Sequence, residues 1–163
     1  MRGRVATICV VATMAVACSV AAAAVPGVGT YKGVTSQQDP KSKKFQRVEV
    51  QVGSKGKRIK RIRAGFQTKC TDGSGYFSGF FYLPDEVDRV VRKGGRFSFE
   101  SSYKPPDLNP GETADVFVRG SGRFTTAKKL KGTMTVQANI FTGGATTGAL
   151  KCTSGKITFS AKR

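Results

Sequence analysis

Val48-Glu49-Val50-Gln51-Val52, then Gly53-Ser54-Lys55-Gly56, then a long return running to Cys70 is the stretch whose reading decides the fold. Ile62, Ala64, Phe66, Thr68 and Cys70 fall on one side of the return, and Arg61, Arg63, Gln67 and Lys69 fall on the other. That is the period-two alternation of a half-buried strand. The stretch therefore reads as a β-hairpin with one face turned to a core and one basic face turned to solvent.

The ends of the sequence set the context of this hairpin. Met1-Arg2-Gly3-Arg4, an uncharged apolar run from Val5 and a close at Ala21-Ala22-Ala23-Ala24 have the order of a secretory signal peptide over residues 1–24. The same run, continued to Val25, is long enough for a retained membrane anchor to be the alternative. Ala15-Val16-Ala17-Cys18 resembles a lipobox, which would leave a lipid on Cys18 and anchor the protein at a surface. The residues after Cys18 stay apolar, which favours soluble export. Setting residues 1–24 aside removes Cys9 and Cys18, and the two remaining cysteines, Cys70 and Cys152, are expected to pair in an oxidising compartment. Residues 25–163 carry a net charge of +16 and are enough for one domain, which buries about two-thirds of its unfolded surface.

Short strands recur along that domain. Gly29 to Val34 opens it, followed by a polar, turn-rich connection from Gln37 to Lys44. After Cys70 a turn leads to Tyr76–Leu83, the most apolar stretch and for that reason expected at the centre. Asp85 to Arg92 reads as a short strand or irregular turn, and Arg96 to Glu100 as a strand. Asp115 to Phe124 and Leu130 to Ile140 form a clear pair, the second alternating Leu130, Gly132, Met134, Val136, Ala138 and Ile140 with polar residues. Leu150-Lys151-Cys152 and Lys156 to Lys162 complete about nine strands, with no convincing helix. This is the pattern of an all-β antiparallel sandwich, with a closed meander barrel as the alternative.

Gly29-Thr30-Tyr31-Lys32-Gly33, the Gly-turn hairpin to Cys70, Gly122-Arg123-Phe124 with Leu130-Lys131-Gly132-Thr133, and the closing Cys152-x-Ser154-Gly155-x-x-x-Phe159-x-Ala161-Lys162 resemble a group of small exported bacterial all-β proteins. The group is expected to carry tryptophan more often where Phe159 stands. The resemblance covers nearly all of residues 25–163 and implies export, a β-sandwich-like domain and a disulfide. It implies no activity.

Several chemistries are absent. The sequence has no histidine, which removes Ser-His-Asp and Cys-His catalysis and the commonest zinc ligand. Gly73-Ser74-Gly75 and Gly120-Ser121-Gly122 do not fit a nucleophile elbow and read as turns. Thr153-Ser154-Gly155-Lys156-Ile157 lacks the first glycine and the final hydroxyl of a phosphate loop. The acidic cluster Asp85-Glu86-x-Asp88 is too small for a calcium loop, and nothing selects a pair of carboxylates for glycosidase work. No enzyme activity, cofactor or metal is expected.

Charge is the positive signal. Lys55, Lys57, Arg58, Lys60, Arg61 and Arg63 crowd into nine residues, with Lys41, Lys43, Lys44 and Arg47 on the preceding limb. Such density attracts polyanions in a salt-dependent way, although it also keeps an exported domain soluble. The expected partners are anionic wall polymer, acidic polysaccharide or an anionic membrane surface; nucleic acid does not suit the compartment, and no obligate protein partner is evident. The alternative function is a lipocalin-like barrel carrying a small apolar ligand, prompted by the aromatics of Tyr76–Leu83.

Overall fold

A computed structural model describes residues 25–163, apart from 40, 74–75, 84–88, 106–108 and 144–148. The expected signal peptide with Cys18, and the cluster Asp85-Glu86-x-Asp88, lie outside the described residues. Among the described residues the chain forms ten strands: β1 (Gly29–Gln38), β2 (Phe45–Gly53), β3 (Arg58–Cys70), β4 (Tyr76–Leu83), β5 (Arg89–Val90), β6 (Arg96–Tyr103), β7 (Glu112–Thr126), β8 (Lys129–Thr142), β9 (Leu150–Thr153) and β10 (Ile157–Lys162).

The hairpin that the alternation predicts is β2–β3. Val48 faces Ala64 and Val50 faces Ile62 across it, all four buried, while Lys60, Arg63 and Lys69 remain exposed. β1 extends this pair into a meander. On the edge of β3 opposite β4, the strand outruns β2 and takes β9, at Lys69↔Thr153 and Cys70↔Cys152. β9 and β10 follow one another along a single edge of β8, and β10 returns to β1. The ring β1-β2-β3-β9-β8-β10 is thereby closed, so of the two all-β arrangements that the sequence leaves open the barrel is the one formed. Closure hides strand edges that would otherwise pair with other chains.

β7 and β6 continue the sheet beyond β8, and β4 and β5 pair with the outer edge of β3. Tyr76–Leu83 is therefore not central: its partner among the described residues is β3 alone. Apolar content does not report how many neighbours a strand has in the sheet.

The inward faces pack on one another. Tyr31 meets Phe124 edge-on at 5.2 Å between ring centroids, and Phe97 lies 5.6 Å from Phe124. Gly120-Ser121-Gly122, expected as a turn, runs through the interior of β7, where Gly120 faces Phe99 and Gly122 faces Phe97. A Cβ at Gly122 would collide with the Phe97 ring. Each phenyl covers the strand that its glycine leaves bare, the same device by which Phe159 covers Gly132.

The seam between β3 and β9 is the thinnest part of the ring, with two registered pairs, and two other features reinforce it. One is the Cys70–Cys152 disulfide, expected from the cysteine arithmetic, across the directly opposed pair. The other is Gln37, which belongs to β1 rather than to a loop. Its side-chain Nε2 donates to the Gln67 carbonyl at 2.8 Å, and its Oε1 accepts the Gln67 N–H at 2.8 Å. The amide thus fills the hydrogen-bonding place on β3 that β2 leaves open where their pairing stops at Val48↔Ala64.

Candidate polyanion-binding surface

The antiparallel registers bring distant segments to one end of the barrel. There β2 ends and β3 begins, β7 ends and β8 begins, β5 ends and β6 begins, and β1 and β10 supply their outer ends. Backbone hydrogen bonds tie these pieces together: Gly27 N to Ala127 O at 3.0 Å, Val91 N to Lys57 O at 2.8 Å, Phe124 N to Gly95 O at 2.9 Å and Arg163 N to Lys128 O at 3.0 Å. Pro26 is buried against the β2–β3 turn, where Gly56 has φ 76° and a Cβ would collide with the Pro26 carbonyl. Glycine is required at that position on both counts. Lys55 beside it also holds a left-handed φ of 58°, so its side chain projects from a turn whose shape is fixed by its neighbours.

The exposed cations at this end are Lys55, Lys57, Arg58, Arg92, Lys93, Lys128, Lys129, Lys162 and Arg163. The described acids lie elsewhere. Glu49 and Glu100 sit midway along their strands, and Asp39, Asp72, Glu112 and Asp115 belong to the opposite end. Asp39 closes the turn there by accepting the Ser42 N–H at 2.7 Å, and that backbone hydrogen bond is the first cause holding its carboxyl below the usual aspartate range. Among the described residues the acids therefore lie in the middle and at the far end, while exposed cations occur at both ends.

The structure sorts the cations that the sequence singles out. Lys55, Lys57, Arg58 and Lys60 gather around the β2–β3 turn, with the Lys60 stem lying over Gly53. Arg61 is half-buried opposite Gln51, and Arg63 is exposed opposite Glu49. Lys41, Lys43 and Lys44 are at the far end of β2, about 27 Å of strand away, and do not join the turn. Arg89 is turned inward at 6% exposed, and burial lowers its pKa, so it belongs to the packing of β5 rather than to the solvent-facing charge.

Arg92, Lys93, Arg123, Lys128, Lys129 and Lys162 are the residues that sequence reasoning does not assemble. Their signal is visible only as scattered polar positions in alternating strands, because the strand order that joins them is set by pairing. Arg123 is held in place, its Nε donating to the Gly94 carbonyl at 3.2 Å. Among the described residues no group of three or more histidine, cysteine or acidic side chains could hold a metal ion. Comparison with protein-family models, curated proteins and solved structures returns no match.

Proposed function

We propose that this protein is an exported, non-enzymatic β-barrel module that holds anionic cell-envelope or extracellular polymers at the cationic end of its barrel. The observation that carries this reading is the convergence of exposed lysines and arginines from separate segments on that end, away from the described acids. Six or more such contacts give strong attraction to a charged chain at low salt. The disulfide fits an oxidising compartment, where nucleic acid is an uncommon partner. The exposed phenylalanines lie away from this end, Phe45 at the far end of β2 and Phe117 within β7, so among the described residues no aromatic platform is offered there for stacked bases. A six-stranded ring is also narrower than the eight-stranded barrels that enclose one small ligand, which favours a packed interior over an apolar carrier.

The test uses the processed protein secreted from the full-length chain. Binding is measured against anionic wall polymer, acidic polysaccharide, anionic vesicles, duplex DNA and a neutral polysaccharide, each across a salt series. Selective binding that persists near physiological salt is expected, lost when Lys57, Arg58, Lys60 and Arg61 are changed to Gln with the fold intact. Unchanged binding by that variant, or equal binding to every polyanion that vanishes with salt, would refute it.

A further inference from the structure

On the solvent side of β1, β10, β8, β7 and β6 the register sets like charges directly opposite one another. Lys32 faces Lys162, and Lys162 faces Lys129. One step further along the strands, Lys131 faces Arg123 and Arg123 faces Arg96. All six are exposed. Like charges directly opposed across a sheet are destabilising. In these two ladders Lys32 also faces Glu49 on β2, but Lys162 and Lys129, and all of Lys131, Arg123 and Arg96, persist against their own repulsion with no acid opposite. Arg119 shows the ordinary remedy: it faces Glu100, with Nη2 3.4 Å from Oε1.

Between the ladder of Lys131, Arg123 and Arg96 and the Arg119 row lies a row without charge. Thr158, Thr133, Ser121 and Ser98 stand side by side on β10, β8, β7 and β6, and Ser36 of β1 accepts the Thr158 N–H at 3.0 Å. These hydroxyl positions run through two adjoining open depressions of about 780 and 460 Å³, which share Ser121 and Thr133. Arg96, Arg123 and Lys131 flank the first, and Arg119 and Lys156 flank the second. Four strand-to-strand steps make the row about 19 Å long.

We propose that this trough is a binding site for an acidic polysaccharide, a deepening that rests on the polyanion reading above. The chain lies along the hydroxyl row, and its carboxylate or sulfate groups sit between the opposed cations and relieve their repulsion. Serine and threonine both donate and accept, which matches a polyhydroxylated ligand. A polyanion without hydroxyls can accept from the row but cannot donate to it, so it uses half of what the row offers. Neither depression is lined by an exposed aromatic, which removes base stacking as an alternative use.

The test compares the processed wild-type protein with three variants: K129Q/K131Q/K162Q for the ladders, S121A/T133V for the row, and the hairpin variant K57Q/R58Q/K60Q/R61Q. The probes are polygalacturonate, dextran sulfate, polyphosphate and neutral dextran; the first two separate carboxylate from sulfate recognition. The ladder variant is expected to bind both acidic glycans about tenfold more weakly. Its salt slope should be shallower by about two to three, and its Tm about 1–3 °C higher. The row variant is expected to weaken the acidic glycans about threefold or more and polyphosphate by clearly less. If the hairpin variant loses binding and the other two do not, this site falls while the polyanion function stands. Equal loss of polyphosphate by the row variant, or a Tm that falls together with affinity in the ladder variant, would also overturn the proposal. No binding of any acidic glycan by wild type would remove both readings.

Discussion

Removing the Cys70–Cys152 bridge tests the account of the barrel's closure. The perturbation is the double variant C70A/C152A, with reduction of the wild type as its parallel. The bridge joins residues 82 apart, and the chain-entropy treatment gives about 4.5 kcal/mol for a loop of that length. A domain of this size is stable by about 5–15 kcal/mol in total, so the loss takes roughly a third or more of it. At about 3–4 °C per kcal/mol, the expected fall in Tm is about 15 °C. The loss should also have a location. The β3–β9 seam has two registered pairs, and the neighbouring Thr71 N–H is bonded to the Lys151 carbonyl at 2.9 Å. Thermal unfolding followed by far-ultraviolet circular dichroism reads the magnitude, and native-state hydrogen exchange reads the place. Amides of 69–71 and 151–153 are expected to exchange faster in the variant, while those along the long β7–β8 pair change only through the global stability. A Tm shift below about 5 °C, or two free thiols in the protein made in an oxidising compartment, would refute the view that the crosslink holds the ring at its thinnest point.

Two further outcomes follow from the same geometry. Gln37→Ala should destabilise by about 2 kcal/mol, because it strands the N–H and C=O of Gln67, and Gln37→Glu should recover only the accepting half; a loss in urea unfolding below about 0.5 kcal/mol for Ala would contradict that role. Burial pushes the Tyr103 phenol up to about 12, so its contribution to stability is complete below the ordinary tyrosine pKa near 10 and is lost as pH rises through about 12. Ultraviolet titration should show a late tyrosinate step that Tyr103→Phe removes, and a step near 10 for that residue would show the burial to be wrong.

Much of the barrel is legible in local patterns. The alternation from Ile62 to Cys70 needs only a strand with one wet face, and the burial of Ile62, Ala64, Phe66, Thr68 and Cys70 follows it position by position. Closure is not legible, because it depends on β9 meeting the free end of β3 over two residues, an event that no periodicity records. Gln37 reads as loop because it is polar, yet its amide acts as a piece of strand. Gly120-Ser121-Gly122 reads as a turn because glycine is common there, whereas each glycine lies under a phenyl ring from β6. The hairpin charge is visible since its cations are neighbours in sequence. The ladder from Lys32 through Lys162 to Lys129 spans most of the chain and exists only once the register is set.

Placement is what separates binding from mere solubility. Net charge keeps an exported domain dispersed wherever its lysines stand, and scattered cations would serve that end without opposing one another. In this barrel Arg63 faces Glu49 and Arg119 faces Glu100, so the sheet does use acids to relieve arginines. Lys32 shares Glu49 with Arg63, but Lys162 and Lys129, and Lys131, Arg123 and Arg96, have no such facing acid and stand beside a row of hydroxyls. An arrangement that raises the free energy of the free protein is lowered most by a ligand of opposite charge. The increase in Tm expected for K129Q/K131Q/K162Q without ligand and the loss of affinity with it are therefore two readings of one electrostatic quantity.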